Sequence, residues 1–320
     1  IEMYNFTSYQ RMSQITNNIM MIEPVLFNYN SETAVNNYYQ KNNQKITQQE
    51  IQDKALKEFN DFVNLLRSKK INVIVFKDTK EPKKPDSIFP NNWISFHANG
   101  EIIIYPMYAQ NRRLERRQDI IDKLKKTFEV ASVKDFSFFE DRERYLEGTG
   151  SMILDRENKF CYAAISARTS EEVIQKFCKS FNYSPVIFSA NQDVDDKRLP
   201  IYHTNVMMCI ADDFAIICLD SIDCKDERKN VVQALKQSKK EIIEITEQQV
   251  NRFAGNMLQL KGDKKYLVMS KSAYNILSTQ QIKKINSYSE ILYSNLQTIE
   301  DFGGGSARCM MAEIFLPLKK

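Results

Sequence analysis

Glycine is scarce in this chain, with eight in 320 residues, and histidine scarcer still, with His97 and His203 alone. Where glycine is used so sparingly, its placement follows backbone need: positive φ, or the close approach of another group. The chain also lacks any C-x-x-C pair. Its six cysteines (161, 178, 209, 218, 224 and 309) are widely spread and have no neighbouring histidine. That pattern favours neither a zinc site nor a disulfide framework, and it fits a reducing compartment. No apolar run approaches the roughly 18 residues needed to span a bilayer, because Asp212 and Asp213 interrupt the longest candidate, from Val206 to Leu219. A soluble, non-membrane protein is therefore expected. Charge of one sign is missing too: 45 basic residues against 41 acidic leave +4, and the only compact basic cluster is Arg112-Arg113-Leu114-Glu115-Arg116-Arg117. A nucleic-acid surface would need a broader basic face, so no nucleic-acid partner is expected. No Pro/Gly/Ser-rich linker divides the chain, which predicts one domain over residues 1–320. The Asn-, Gln- and Lys-rich stretch 36–49 reads as a surface loop. A cytoplasmic location is expected; import into an organelle stays open because the sequence begins at Ile1 without a methionine, and a homo-oligomer stays open as well.

What the chain does contain is a repeated pattern. Thr47-Gln48-Gln49-Glu50 is a capping box, followed by Ile51, Ala55, Phe59, Phe62 and Leu66 at helical spacing. Comparable amphipathic stretches run from Leu114 to Phe128, Ser170 to Phe181, Asp226 to Gln237 and Ser278 to Ile285. Between them lie strand-like runs: Asn72 to Phe76, Ile102 to Tyr105, Ser151 to Leu154, Cys161 to Ile165, Val186 to Phe188, Val206 to Ile210, Ala215 to Leu219, Glu241 to Ile245 and Tyr266 to Met269. Most gaps hold more than one strand, which a plain alternating βαβ sheet would not need. An α/β protein of about five units, each of roughly three strands and a helix, fits better. Such units can close into a ring around a cleft.

The scarce residues gather in three segments. Gly303-Gly304-Gly305 leads into Ser306-Ala307-Arg308-Cys309. Gly148 and Gly150 stand in Leu146-Glu147-Gly148-Thr149-Gly150-Ser151, and His203 in Tyr202-His203-Thr204-Asn205. A glycine run frees the backbone to expose N–H groups and to let a ligand approach. Thiol, imidazole and carboxylate in distinctive settings point to a nucleophile, a proton-transfer base and an orienting group. The competing reading of a lone cysteine is a small buried hydrophobe; Cys161, Cys209 and Cys218, in apolar strand-like runs, fit it. Cys178 lies in a helical pattern and Cys224 in a polar loop. His97, beside Ser95, Phe96, Asn99 and Gly100, reads as a structural residue at a hairpin edge, and Trp93 as packing.

In the order of its motifs the chain resembles the pentein, or amidinotransferase and arginine-deiminase, superfamily, and within it the citrulline-utilisation hydrolase branch. The motifs are Asn18-Ile19-Met20-Met21-Ile22-Glu23-Pro24, Glu32-Thr33-Ala34-Val35-Asn36-Asn37, Phe89-Pro90-Asn91-Asn92-Trp93, Asn111-Arg112-Arg113, Leu146-Glu147-Gly148, Ser166-Ala167-Arg168-Thr169, Tyr202-His203-Thr204-Asn205 and Gly303-Gly304-Gly305-Ser306-Ala307-Arg308-Cys309. They cover nearly the whole chain. The resemblance implies a five-bladed α/β propeller of strand-strand-helix-strand units. It implies that Cys309 attacks the carbon of a ureido or guanidino group, that His203 protonates the departing nitrogen and later draws a proton from water, and that Glu147 positions the imidazole and the substrate nitrogen. It implies no metal and no cofactor. Arg168 and Arg112 correspond to positions that hold the substrate's α-carboxylate in arginine-deiminase relatives, a task suited to arginine's planar fork. For Arg112 and its neighbours Arg113, Arg116 and Arg117 the alternative is a solvated helix face; for Arg168 it is a brace for the following helix. Arg308, if extended beside Cys309, points away from it.

The sequence departs from the arginine-processing relatives where they place aspartates: here stand Asn92 and Asn205. Charge-assisted hydrogen bonds are worth about 1.5–3 kcal/mol each, neutral ones about 0.5–1.5, so the exchange weakens the hold on a guanidinium. An amide both donates and accepts and can read a neutral ureido group. The expected partner is a small ureido or guanidino amino acid, first L-citrulline, hydrolysed to ornithine, ammonia and carbon dioxide. Asp86 is the expected contact for its α-ammonium. The alternatives are an arginine-modifying deiminase, dihydrolase or amidinotransferase, and a catalytically silent protein of this fold serving as a binding or assembly subunit.

Overall fold

The structure, a computed structural model, describes residues 13–42 and 45–319. It contains five three-stranded sheets and one separate hairpin, Asn191–Val194 with Lys197–Pro200. Each sheet has the same order. A first strand pairs antiparallel with the second, and the third, reached through a helix, pairs parallel with the second. In the second sheet these strands are Ile94–Phe96, Glu101–Ile104 and Ser132–Asp135, with the helix Gln118–Thr127 between the last two. The third has Ile153–Asp155, Phe160–Ala164 and Ser184–Phe188 around Glu171–Phe181; the fourth has Met208–Ile210, Phe214–Ile217 and Glu241–Glu244 around Lys225–Gln237. The fifth has Leu258–Lys261, Lys265–Ser270 and Glu290–Ser294, with Lys271–Ile276 and Thr279–Asn286 in the crossover. The first sheet is assembled from distant parts of the chain. Asn18–Glu23 and Asn72–Lys77 flank the helix Gln48–Ser68, and the antiparallel strand comes from Ala312–Glu313.

The helices form for the reasons their spacing gave. Thr47 and Glu50 close a complete capping box, and Ile51, Ala55, Phe59, Phe62, Val63 and Leu66 of the helix that follows are buried. Burial of each large side chain is worth about 1.5–3 kcal/mol. Four apolar clusters fill the spaces between sheets and helices. First strands from different sheets lie beside one another: Met208–Ile210 packs on Ile153–Asp155 and Leu258–Lys261, and Ala312–Glu313 on Ile94–Phe96. Among the described residues no helix is long and apolar enough to cross a membrane.

Several expectations are corrected in detail. The run Ser151 to Leu154 opens in the short helix Gly148–Ser151, and Val206 to Ile210 in Thr204–Met207; only their second halves are strand. Val206 and Met207 are fully buried, so their apolar character carried no period to separate helix from strand. The helix expected from Leu114 begins at Gln118, and Arg112 and Arg113 end a separate turn, Gln110–Arg113. Ser132–Asp135, three of whose four residues are exposed, is held by backbone pairing rather than apolar content. The stretch 36–49 is not simply a surface loop: Asn37 is buried, while Asn43 and Gln44 lie outside the described residues.

His97 stands at the hairpin edge, directly after Ile94–Phe96 with its N–H donating to Glu101 O at 2.9 Å, and it is buried. It stacks on Phe181 at 4.7 Å and meets the Ser95 hydroxyl through Nε2 at 2.8 Å, while burial holds its pKa well below the usual histidine value. Trp93 is buried in the apolar cluster around Ile94 and Phe96. Five cysteines are buried, Cys224 is exposed, and all are free thiols.

Candidate active site

Every unit sends one segment, lying just upstream of its first strand, to a common place. Asn92 ends the turn Pro90–Asn92 before Ile94–Phe96. Glu147 caps the turn Gly148–Ser151 before Ile153–Asp155. His203 caps Thr204–Met207, which carries Asn205 into Met208–Ile210. Asn256 precedes Leu258–Lys261, and Cys309 precedes Ala312–Glu313. Asp86, Asn92, Arg112, Arg168, His203 and Cys309 line one narrow cavity, walled also by Phe89, Tyr202, Gly303 and Gly305.

Cys309 is 3% exposed. Its backbone N–H donates to Ser306 O at 3.0 Å, and its sulfur accepts from two amides, Asn205 Nδ2 at 3.3 Å and Asn256 Nδ2 at 3.2 Å. Arg308 does turn away, donating to Met311 O at 2.8 Å and to Glu313 at 2.6 Å.

His203 Nε2 meets Glu147 Oε2 at 2.8 Å, and the other carboxylate oxygen accepts from Tyr108 N at 3.0 Å. Arg168, His203 and Arg112 overcome the cost of burying Glu147 and hold its carboxyl down at about 2. Burial lowers His203 to about 4 against the pull of Glu147. The pair therefore rests as carboxylate and neutral imidazole. An ionised carboxylate only accepts, so the ring proton sits on Nε2 and Nδ1 keeps the lone pair. Both oxygens of Glu147 are occupied within the protein; its geometry is that of a group orienting the imidazole.

The two arginines differ. Arg112 is buried and already holds a carboxylate, that of Glu115, through Nε at 2.8 Å and Nη2 at 2.9 Å, while Nη1 donates to Asn92 Oδ1 at 2.7 Å. A solvated helix face is thus excluded for Arg112, and its fork is filled from inside the protein. Arg116 bonds Glu140 through both Nη atoms and is half-buried. Arg168 lies over the Tyr202 ring and binds Asn36 Oδ1 and Thr33 O, each at 2.8 Å, which leaves Nη1 without a hydrogen bond among the described residues and 3.6 Å from Glu147. Asp86 Oδ2 accepts from Asn30 Nδ2 at 2.8 Å and Thr33 Oγ1 at 3.0 Å; Asp86 Oδ1 and Asn205 Oδ1 are buried with no partner among the described residues. Buried polar atoms are rarely left unpaired, so each is an acceptor available to a ligand.

The glycines serve packing more than exposure of N–H groups. Gly303 and Gly305 face the Phe89 ring, and Gly304, at φ +62°, ends the helix Gln297–Gly303, with its carbonyl accepting from Asn37 Nδ2 and Tyr202 Oη. At Gly150 a methyl group would stand 2.5 Å from Asn92 Nδ2 and 2.8 Å from His203 Nδ1. Gly150→Ala is therefore expected to displace the imidazole and lower kcat about 10²-fold, the usual cost of misplacing a catalytic group by about 1 Å. Steady-state kinetics beside a thermal melt would check it, and a kcat within threefold of wild type would contradict the assigned packing.

All eight residues singled out from the sequence (Asp86, Asn92, Arg112, Glu147, Arg168, His203, Asn205 and Cys309) belong to this one neighbourhood. Sequence reading missed Asn256 and Asn30, and it gave no role to Thr33, Asn36 and Asn37 of the motif Glu32-Thr33-Ala34-Val35-Asn36-Asn37; Asn30, Thr33, Asn36 and Asn37 reach Asp86, Arg168 and the glycine turn. Gly255, tight against Val206 O in the chain's small set of glycines, marked Asn256 in the sequence as Gly148 and Gly150 marked Glu147. Among the described residues no group of three or more His, Cys, Asp or Glu side chains could hold a metal ion.

The chain was compared with known proteins in sequence and in fold. A search of curated proteins by sequence finds no match. Among solved structures, the N-terminal domain of ArgZ, a cyanobacterial arginine dihydrolase of the ornithine–ammonia cycle crystallised with substrate, superposes with a TM-score of 0.73 at 16% identity, covering 94% of this chain and 98% of that one. Unliganded AgrE gives 0.73 at 16% identity over 95% of this chain and 40% of its own. A dimethylarginine dimethylhydrolase (DDAH) of Pseudomonas aeruginosa, complexed with citrulline, gives 0.64 at 15% identity over 94% and 99%. The chain spans 41% of full-length ArgZ. The family model of eukaryotic N,N-dimethylarginine dimethylhydrolase matches residues 23–316. With its fold shared by those structures and its sequence matched over nearly its whole length, the chain belongs to the N,N-dimethylarginine dimethylhydrolase family of the pentein superfamily of guanidino-modifying hydrolases.

Proposed function

We propose that this protein is a thiol-dependent hydrolase of C–N bonds in the ureido terminus of an α-amino acid, with L-citrulline as first substrate. The observation that carries the reading is the opening of Cys309 and a neutral, Glu147-held His203 onto one cavity that Asp86 also lines, with an unpaired acceptor on Asp86 and a second on Asn205, whose amide nitrogen bonds the sulfur. In this reading Sγ attacks the ureido carbon as His203 Nδ1 takes the thiol proton. The proton passes to the departing nitrogen, and a thiocarbamate remains on Cys309. Water, deprotonated by His203, then releases a carbamate that falls apart to carbon dioxide and amine. Such acid–base help contributes about 10²–10⁴-fold in rate. Asn205 Oδ1 receives a substrate N–H, Arg168 Nη1 the α-carboxylate and Asp86 Oδ1 the α-ammonium. Arg112 acts through Asn92, which it holds in place.

The family match favours a second reading, a guanidino substrate such as a methylated arginine. A panel of citrulline, arginine and dimethylarginine separates the two by following ammonia, dimethylamine and ornithine. Ornithine formed from citrulline is the expected result; turnover of the guanidino compounds alone would overturn the ureido assignment.

The five sheets and their neighbouring first strands support a ring of five blades, closed as one domain, with the cavity where the segments upstream of those strands converge.

A further inference from the structure

The fifth unit has no residue among the eight singled out from sequence, yet it supplies a side chain at the equivalent position. We propose that Asn256 is a positioning residue that fixes the Cys309 sulfur against Asn205 and stabilises it as its proton leaves for His203. The inference rests on Cys309 being the nucleophile of the reaction proposed above.

Asn256 is fully buried. Its Nδ2 donates both to Cys309 Sγ, at 3.2 Å, and to Asn205 O, at 3.0 Å, and its Oδ1 accepts from Arg308 N at 3.0 Å. One amide thus ties the backbone on either side of the reacting sulfur. The turn that bears it is tight: Phe253 adopts φ +60°, Asn256 N donates to Phe253 O, and Gly255 lies so close to Val206 O that a Cβ would stand 2.4 Å from it. The groups facing the sulfur across the cavity are His203, Asp86, Arg112 and Arg168, with Tyr202 beside them. Among the described residues none of these hydrogen-bonds Sγ; Asn205 and Asn256 do. Donors aimed at a sulfur favour its charged form over the thiol, and neutral amides do so without placing a cation where the substrate's reacting group must sit.

The test compares wild type with Asn256→Ala and Asn256→Asp by alkylating the protein with iodoacetamide across pH and mapping the product at Cys309 by mass spectrometry. Asn256→Ala removes the donor and should move the pH of half-maximal alkylation upward by about one unit. Asn256→Asp keeps Oδ1 for Arg308 N but replaces the donor with a carboxylate, so its shift should be larger, about two units. An amide that merely braced the turn would leave the alanine variant at the wild-type midpoint, and an unshifted midpoint in either variant would overturn the proposal. Should the alanine variant fail to fold, the near-isosteric Asp variant still decides. Alkylation requires no substrate. Shifted midpoints in a protein that turns over no ureido or guanidino compound would retain the role of Asn256 and discard the proposed reaction.

Discussion

Cys309→Ala is expected to lower turnover by about 10⁴-fold or more, the scale on which removal of a covalent nucleophile acts. The sulfur accepts from two side-chain amides, and one of them, Asn205, keeps an unpaired Oδ1. Removing it leaves the N–H groups of Asn205 and Asn256 without their common acceptor, at a cost of about 1–3 kcal/mol. The fold should survive this loss, because neither backbone segment depends on the sulfur: Arg308 N remains bonded to Asn256, and Cys309 N to Ser306. Cys309→Ser keeps an acceptor and should melt nearer to wild type while remaining as inactive. Ornithine release measured beside thermal unfolding separates the effects, and activity within 100-fold of wild type in both variants would remove Cys309 from the chemistry.

Glu147→Gln should cost about 10²–10⁴ in kcat, the contribution of a correctly held acid–base group. The glutamate fixes the Nε2 proton and so leaves the Nδ1 lone pair available; a glutamine can satisfy either tautomer. It also stands 3.7 Å from Arg112 and 3.6 Å from Arg168, both buried. Taking its charge away leaves two guanidinium groups with one anion fewer, and breaking a buried ion pair costs about 3–5 kcal/mol.

The same pair sets an acid limit to stability. His203 is lowered from 6.5 to about 4, so the unfolded chain binds its proton first and stability is lost as pH falls through that window. Glu147 is lowered from 4.5 to about 2, and its contribution, present above 4.5, is lost as pH falls toward 2. Melting temperature against pH should therefore decline in two overlapping stages in wild type. In Glu147→Gln the lower stage should be reduced; an unchanged profile would mean that the carboxylate is not held ionised by its surroundings.

The helices were legible because each buries one face on a sheet, which imposes a period on the sequence. Phe59, Phe62 and Leu66 announce themselves in this way. Strands such as Ser132–Asp135 were not, since backbone pairing with a neighbour leaves no mark on side-chain polarity. The site was legible where scarce residue types were spent on it: Cys309 after a glycine run, His203 as one of two histidines, Gly148 and Gly150 beside Glu147. Asn256 went unread and Asn37, though inside a quoted motif, carried no role, because asparagine is common in this chain and their meaning arises only when Cys309 and the Gly303 and Gly304 carbonyls come to lie against them. Arg112 misled in the opposite sense. Its place in a basic cluster gave no hint that Glu115 fills its fork.

The strand Ala312–Glu313, seated against Asn18–Glu23, has a consequence beyond architecture. Cys309 lies immediately ahead of it, so its reactive sulfur takes up station only when two stretches separated by most of the polypeptide have met. Contacts of such long sequence separation are slow to form. Until that late clasp is made, the neighbourhood of Asn205 and Asn256 has no thiol to organise; any substitution that loosens the clasp should silence the enzyme before it melts the rest of the molecule.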